Sequence, residues 1–150
     1  MKSWLTVMPV LALSGFASAA TPSDSSLIGC WQSGTVTSQL SDGTTREGKA
    51  RCTLVYDDTT IVSTCAGSDG PFSITYSYSI VAPGKYEAEI AKHSTLPHAI
   101  GSKRQYEFRV QNDNLFITTY SQTTSPMPLN SAVKVVSTST RDTGSCTLGQ

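Results

Sequence analysis

The sequence predicts an all-β domain, an eight-stranded antiparallel up-and-down barrel with no major helix. Three observations predict it. Apolar residues recur at every second position, most plainly in Phe72-Ser73-Ile74-Thr75-Tyr76-Ser77-Tyr78-Ser79-Ile80, where one face is aromatic and aliphatic and the other is all hydroxyls. Turn residues punctuate the chain at regular intervals, and almost no segment shows a helical period. Successive connections alternate between tight and long, and in a meander alternate connections fall at the same end.

The chain opens on a leader. Lys2 supplies a positive start, Trp4 to Phe16 is mostly apolar, and Ala17-Ser18-Ala19 offers small residues for cleavage. Residues 1–19 therefore read as a signal peptide and 20–150 as one domain, secreted or periplasmic. The apolar run is shorter than the about 20 residues that span a bilayer, so no transmembrane segment is expected in the mature chain. Leu27-Ile28-Gly29-Cys30 has the form of a lipidation box. A polar stretch, Thr21 to Ser26, separates it from the apolar run, and lipidating Cys30 would orphan another cysteine.

Cys30, Cys52, Cys65 and Cys146 all follow the leader, and an even number in an oxidising compartment predicts two disulfides. The formal charge is zero and only 15% of residues are charged, which excludes the basic face that a nucleic acid or a membrane surface would require.

Strands are expected near 27–37, 47–57, 60–66, 71–81, 85–91, 103–111, 114–121 and 132–140. Three hairpins have a register that can be counted, because a slip of one residue turns every side chain to the other face. A two-residue loop at Asp58-Thr59 pairs Tyr56 with Ile61, Leu54 with Ser63 and Cys52 with Cys65. The cysteines then fall on a non-hydrogen-bonded site, where facing side chains are closest, and a Cys52–Cys65 disulfide follows. A three-residue loop, Ala82-Pro83-Gly84, pairs Ile80 with Tyr86, Tyr78 with Ala88 and Tyr76 with Ile90, with Gly84 at positive φ. A two-residue loop at Asn112-Asp113 pairs Val110 with Leu115 and Phe108 with Ile117. The remaining connections, 38–46, 67–70, 92–102 and 122–130, read as longer loops ringing the opposite end. The first strand starts and the last finishes at the tight end, so Cys30 and Cys146 meet where the sheet closes. Pairings 30–52 with 65–146, or 30–65 with 52–146, fit this topology less well.

Gly29-Cys30-Trp31 at the start of the first strand, together with the loop lengths, resembles the lipocalin (calycin) superfamily. The resemblance implies an eight-stranded barrel in which the Trp plugs the closed end and a basic residue late in the last strand packs across its ring. Arg141 stands in the matching stretch. The family's T-D-Y signature is replaced by Gln111-Asn112-Asp113-Asn114, and no helix follows the last strand, so a minimal member is implied. Avidin-like proteins share G-x-W but use several Trp for biotin, where the mature chain has Trp31 alone. The plan is also similar to small periplasmic metalloprotease inhibitors, which act through an N-terminal trunk; residues 20–26 would take that place.

The inward stripe supplies the cavity candidates Trp31, Phe72, Ile74, Tyr76, Tyr78, Tyr86, Tyr106 and Phe108. It reads either as packed core, since eight strands enclose a space that side chains can fill, or as an apolar cavity with tyrosine hydroxyls fixing a ligand. His93 and His98, with Lys103 and Arg104, form a candidate basic lip at the mouth, suited to an anionic group, or a solvated loop. No third ligand accompanies the two His, so no metal is expected, nor any cofactor. Glu87, Glu89, Glu107 and Arg109 belong to an outer face of exposed ion pairs. No nucleophile stands beside a base, so an enzyme is not expected. The expected function is an exported, non-catalytic binding protein holding a small apolar ligand. The alternative is a secreted or periplasmic protein partner: an inhibitor or immunity factor binding a protease- or lysozyme-type hydrolase through the long-loop end or the trunk.

Overall fold

The computed structural model describes residues 24–121, 131–144 and 146. The leader 1–19, the trunk as far as residue 23 and the connection 122–130 lie outside the described residues. The strands are β1 (Gly29–Leu40), β2 (Thr45–Lys49), β3 (Cys52–Tyr56), β4 (Thr60–Gly67), β5 (Gly70–Ala82), β6 (Lys85–His93), β7 (Lys103–Gln111), β8 (Asn114–Tyr120) and β9 (Ala132–Asp142). One 3-10 turn, Pro97–Ala99, lies between β6 and β7. Among the described residues no helix is long and apolar enough to cross a membrane.

Every neighbouring pair is antiparallel, and β1 also pairs with β9, which closes an eight-membered ring of β1 and β3 to β9. The three counted hairpins have the registers that alternation predicts: Cys52 faces Cys65, Tyr78 faces Ala88, and Phe108 faces Ile117. Asn112 and Asp113 both take positive φ, as the tight turn between β7 and β8 requires. Disulfides join Cys52 to Cys65 across the β3–β4 hairpin and Cys30 to Cys146 at the seam, with Cα separations of 4.0 and 5.8 Å.

Three details depart from the sequence reading. The expected second strand, 47–57, is broken at Ala50-Arg51 into β2 and β3. Opposite the break, β1 carries an extra residue at Gly34-Thr35 relative to β9, and the Ala50 N–H donates to the Gly34 carbonyl at 2.9 Å. Bulge and break form one bend: below it β3 pairs with β1, and above it the wholly exposed β2 takes that place, while β1 stays paired to β9 on both sides of the bulge. Next, the connections 38–46 and 67–70 are tight turns at the ends of long strands. Gly43 N–H closes on the Leu40 carbonyl at 3.0 Å, and Gly67 pairs directly with Gly70. The rim is therefore built of hairpin tips as much as loops. Finally, Ala82 pairs with Lys85, so the β5–β6 turn is Pro83-Gly84, with Gly84 at φ +69°. A shift between Ile80 and Ala82 absorbs the odd residue, which preserves the register further along.

The tight-turn end is solid. Trp31 and Leu115 are fully buried there with Leu27, Phe108 and Ile117. Trp31 Nε1 donates to the Leu27 carbonyl at 2.8 Å. Arg141 lies over the indole, its guanidinium carbon 4.1 Å from the ring centroid. The same guanidinium donates to the carbonyls of Ile28 and Ser26 at 2.9 and 2.7 Å and approaches the Asp113 carboxylate at 3.6 Å. Gly29 is required beneath it: φ is +127°, and a Cβ would lie 2.9 Å from the Arg141 nitrogen.

Candidate functional site

Above this floor the barrel is hollow. A cavity of about 290 Å³ opens toward the rim. It is lined by Ser33 of β1, Ala50 beside β3, Cys52, Leu54 and Tyr56 of β3, and Ile61 and Ser63 of β4. Tyr76 of β5, Tyr86 and Ala88 of β6, Arg104 and Tyr106 of β7, Ile117 and Thr119 of β8, and Val135 and Ser137 of β9 complete the wall. All eight ring strands contribute because inward-facing residues alternate along each one and facing pairs share a side. The floor ends where large side chains stop: Trp31 gives way to Ser33 on β1, and Ile117, which spans floor and wall, to Thr119 on β8.

The wall is amphipathic. Leu54, Ile61, Ala88, Ile117 and Val135 are apolar, while four tyrosines, three serines and Thr119 present hydroxyls. Tyr56 and Tyr86 are buried and their hydroxyls are 3.2 Å apart. Burial lifts both phenols well above their ordinary range, because phenolate would be poorly solvated there. Tyr76 is pushed up to about 12 by burial first and then by Tyr106, with the Arg104 charge acting the other way. Tyr106 is also raised by burial, again opposed by Arg104. The rings interlock: Tyr86 stacks on Tyr106 at 5.0 Å between centroids and meets Tyr78 edge-on at 5.6 Å.

The sequence candidates are distributed over three places. Tyr76, Tyr86 and Tyr106 stand together on the cavity wall. Trp31 and Phe108 belong to the floor, and Tyr78 joins them at the tight-turn end, where its hydroxyl donates to the Asp57 carbonyl at 2.7 Å. Phe72 sits near the rim, stacked on the His93 ring at 6.1 Å, with Ile74 paired to His93. A register shift between Thr75 and Tyr76 brings His93 onto that face, and His93 Nδ1 accepts the Leu96 N–H at 3.1 Å. His98 is exposed in the 3-10 turn. Lys103 and Arg104 part company by alternation: Lys103 points outward to Glu89 at 3.3 Å, and Arg104 faces Ala88 on the cavity wall. Among the described residues no three His, Cys, Asp or Glu side chains are grouped to hold a metal ion.

Tyr56, Ser33, Ser63, Thr119 and Ser137 also line the cavity, and the stripe of bulky residues on three strands did not include them. The signal for Tyr56 was its counted pairing with Ile61 on the inward face. Ser63 had the same kind of signal, its counted pairing with Leu54, whereas Ser137 becomes legible only once the register of β8 with β9 places it opposite Ile117.

No protein-family model matches the sequence, and no curated protein does. Among solved structures the chain is similar to a lipocalin-like protein from Bacteroides uniformis, with a TM-score of 0.52 and 14% identity over 78% of this chain and 99% of that one. It also aligns with an uncharacterized protein from Bacteroides eggerthii, with a TM-score of 0.48 and 8% identity over 76% of this chain and 98% of that one. The fold is a lipocalin-like barrel, closed and antiparallel, as Gly29-x-Trp31 implied.

Proposed function

We propose that the chain is an exported, non-catalytic binding protein that holds a small molecule in the upper half of the barrel. The observation that carries this reading is the cavity of about 290 Å³, open at one end and walled by every ring strand. A site near the low end of the usual 300–1,000 Å³ range suits a ligand of modest size. The mixed wall supports an amphipathic ligand in place of the purely apolar one the aromatic stripe suggested. Two disulfides fit an oxidising compartment, in keeping with a leader removed after residue 19. Trp31 lies in the floor, so its fluorescence is a poor reporter, and an extrinsic probe is preferable.

The test uses the neutral dye phenylnaphthylamine, whose emission rises in apolar surroundings. Wild-type protein is expected to take it up saturably. Ala88 is buried on the wall, and Ala88→Phe fills the cavity; uptake should fall at least tenfold with the fold intact by circular dichroism. Undiminished uptake in a folded Ala88→Phe variant places the dye elsewhere and sinks the reading. The second reading, a hydrolase inhibitor or immunity factor, is favoured by one observation, the backbone edge of β2 (Thr45–Lys49) that no described strand covers. Arg46 and Lys49 on that edge are charges that ordinarily discourage strand addition, so the cavity is preferred.

A further inference from the structure

The wall of the cavity is unbalanced in a way that names the ligand's chemistry. It carries one formal cation, Arg104, and no carboxylate. Arg104 makes no ion pair among the described residues, while its neighbour Lys103 is already bridged to Glu89 outside the barrel. A guanidinium has five N–H donors and accepts nothing. The tyrosines add to the surplus. The Tyr56 and Tyr86 hydroxyls share a single contact, so of their two protons only one lies between them and the other needs an acceptor. The Tyr76 and Tyr106 hydroxyls make no hydrogen bond with any described residue; both side chains are half-buried on the cavity wall, with hydroxyls that solvent or a ligand can reach. Arg104, Tyr76 and Tyr106 all line this one cavity, with Arg104 and Tyr106 two residues apart on the same face of β7. Leu54, Ile61 and Ile117 offer nothing but apolar surface.

Resting on the small-molecule reading above, we propose that the cavity takes a small monocarboxylic acid. Its carboxylate would be held by Arg104 with the Tyr76 and Tyr106 hydroxyls, and its apolar body would lie against Leu54, Ile61 and Ile117. One unpaired guanidinium matches one carboxylate in charge and in fork geometry. A dianionic phosphate would bring a second charge that the single, solvent-exposed Arg104 guanidinium does not match. The cavity holds roughly ten water volumes, which sets the acid at on the order of ten non-hydrogen atoms.

Calorimetric titration with phenylbutyrate and with its neutral amide, phenylbutyramide, tests the proposal. The two share a skeleton and differ in charge. The acid is expected to bind at least about tenfold more tightly, the value of a charge-assisted hydrogen bond. Arg104→Gln should erase that preference while leaving amide affinity within about twofold, and Tyr76→Phe should reduce it by part. Lys103→Gln, one residue away but pointing outward, should leave it unchanged and so separates a specific anchor from general surface charge. Equal binding of acid and amide, or a preference that survives Arg104→Gln, overturns the carboxylate and leaves the cavity as a binding site. Binding of neither compound at millimolar concentration overturns the proposal together with the reading beneath it.

Discussion

Trp31 and Arg141 show how two side chains fix one end of a barrel. The indole would waste its N–H in a dry floor, and Leu27, 4 residues upstream, accepts it. Arg141 caps the ring and ties down the carbonyls of Ser26 and Ile28. Arg141→Ala removes a cation–π contact and two charged hydrogen bonds, an expected loss of about 2–4 kcal/mol by urea unfolding. Arg141→Lys should recover only part, since an ammonium lacks the fork that reaches two carbonyls. A loss below about 0.5 kcal/mol would make the contact ornamental. The tyrosines make a pH prediction. Tyr56, Tyr76, Tyr78, Tyr86 and Tyr106 are all raised, with burial the leading cause at each. Below about pH 10 the folded and unfolded chains both keep these protons. Above it the unfolded chain releases them first, so stability falls as pH rises further. Tyrosinate absorbance should appear together with loss of near-ultraviolet dichroism; ionisation of all five near pH 10 in a folded protein would contradict their burial. Trp31 and its Arg141 partner were legible from the sequence because a short motif named them. Arg104 was legible as a mouth residue, but that it turns inward while Lys103 turns outward needed the β6–β7 register.

At the level of elements, tight turns set register and bulges set shape. Asp57 organises the β3–β4 turn: its carboxylate accepts the N–H groups of Thr59 and Thr60 and the Thr60 hydroxyl, and these bonds hold its pKa below the usual range. Such hairpins could be counted from the sequence because alternation and turn residues agree within a few positions. The Gly34 bulge could not, since it depends on β9, about a hundred residues away, and the split of β2 from β3 follows from it. The end of β1 was read short for a related reason: Ser38 and Gln39 read as loop, yet β2 and β9 supply their backbone partners. The disulfides act at this scale. Cys52–Cys65 closes 13 residues and Cys30–Cys146 closes 116. On chain entropy the double substitution Cys52→Ser with Cys65→Ser should cost about 3 kcal/mol, and Cys30→Ser with Cys146→Ser about 4–5 kcal/mol. Denaturant titration of the two variants checks the order, and the reverse order would show that native-state contacts of the hairpin outweigh loop length.

The whole molecule is a barrel divided across its middle into a packed floor and a hollow upper half. The sequence left two possibilities for the inward stripe, packed core and cavity wall, and the structure shows both, one above the other. The division has a plain cause. The floor layer holds Trp31, Phe108 and Leu115, and the layer above substitutes Ser33, Ser63, Ala88, Thr119 and Ser137, too small to meet across the ring. Composition could not reveal this, because it emerges only when small residues from separate strands fall at one height. Filling the upper half should therefore separate binding from stability, and Ala88→Phe should keep or raise the melting temperature while excluding ligand. The most direct measurement of the central claim is a backbone amide NMR titration with phenylbutyrate. The account predicts that shifts concentrate at Ser33, Leu54, Ser63, Ala88, Arg104 and Ser137, residues of six strands brought together only by the cavity, with the Trp31 indole and the β2 amides unmoved. Shifts confined to β2 and the outer face, or none at saturating acid, would contradict it.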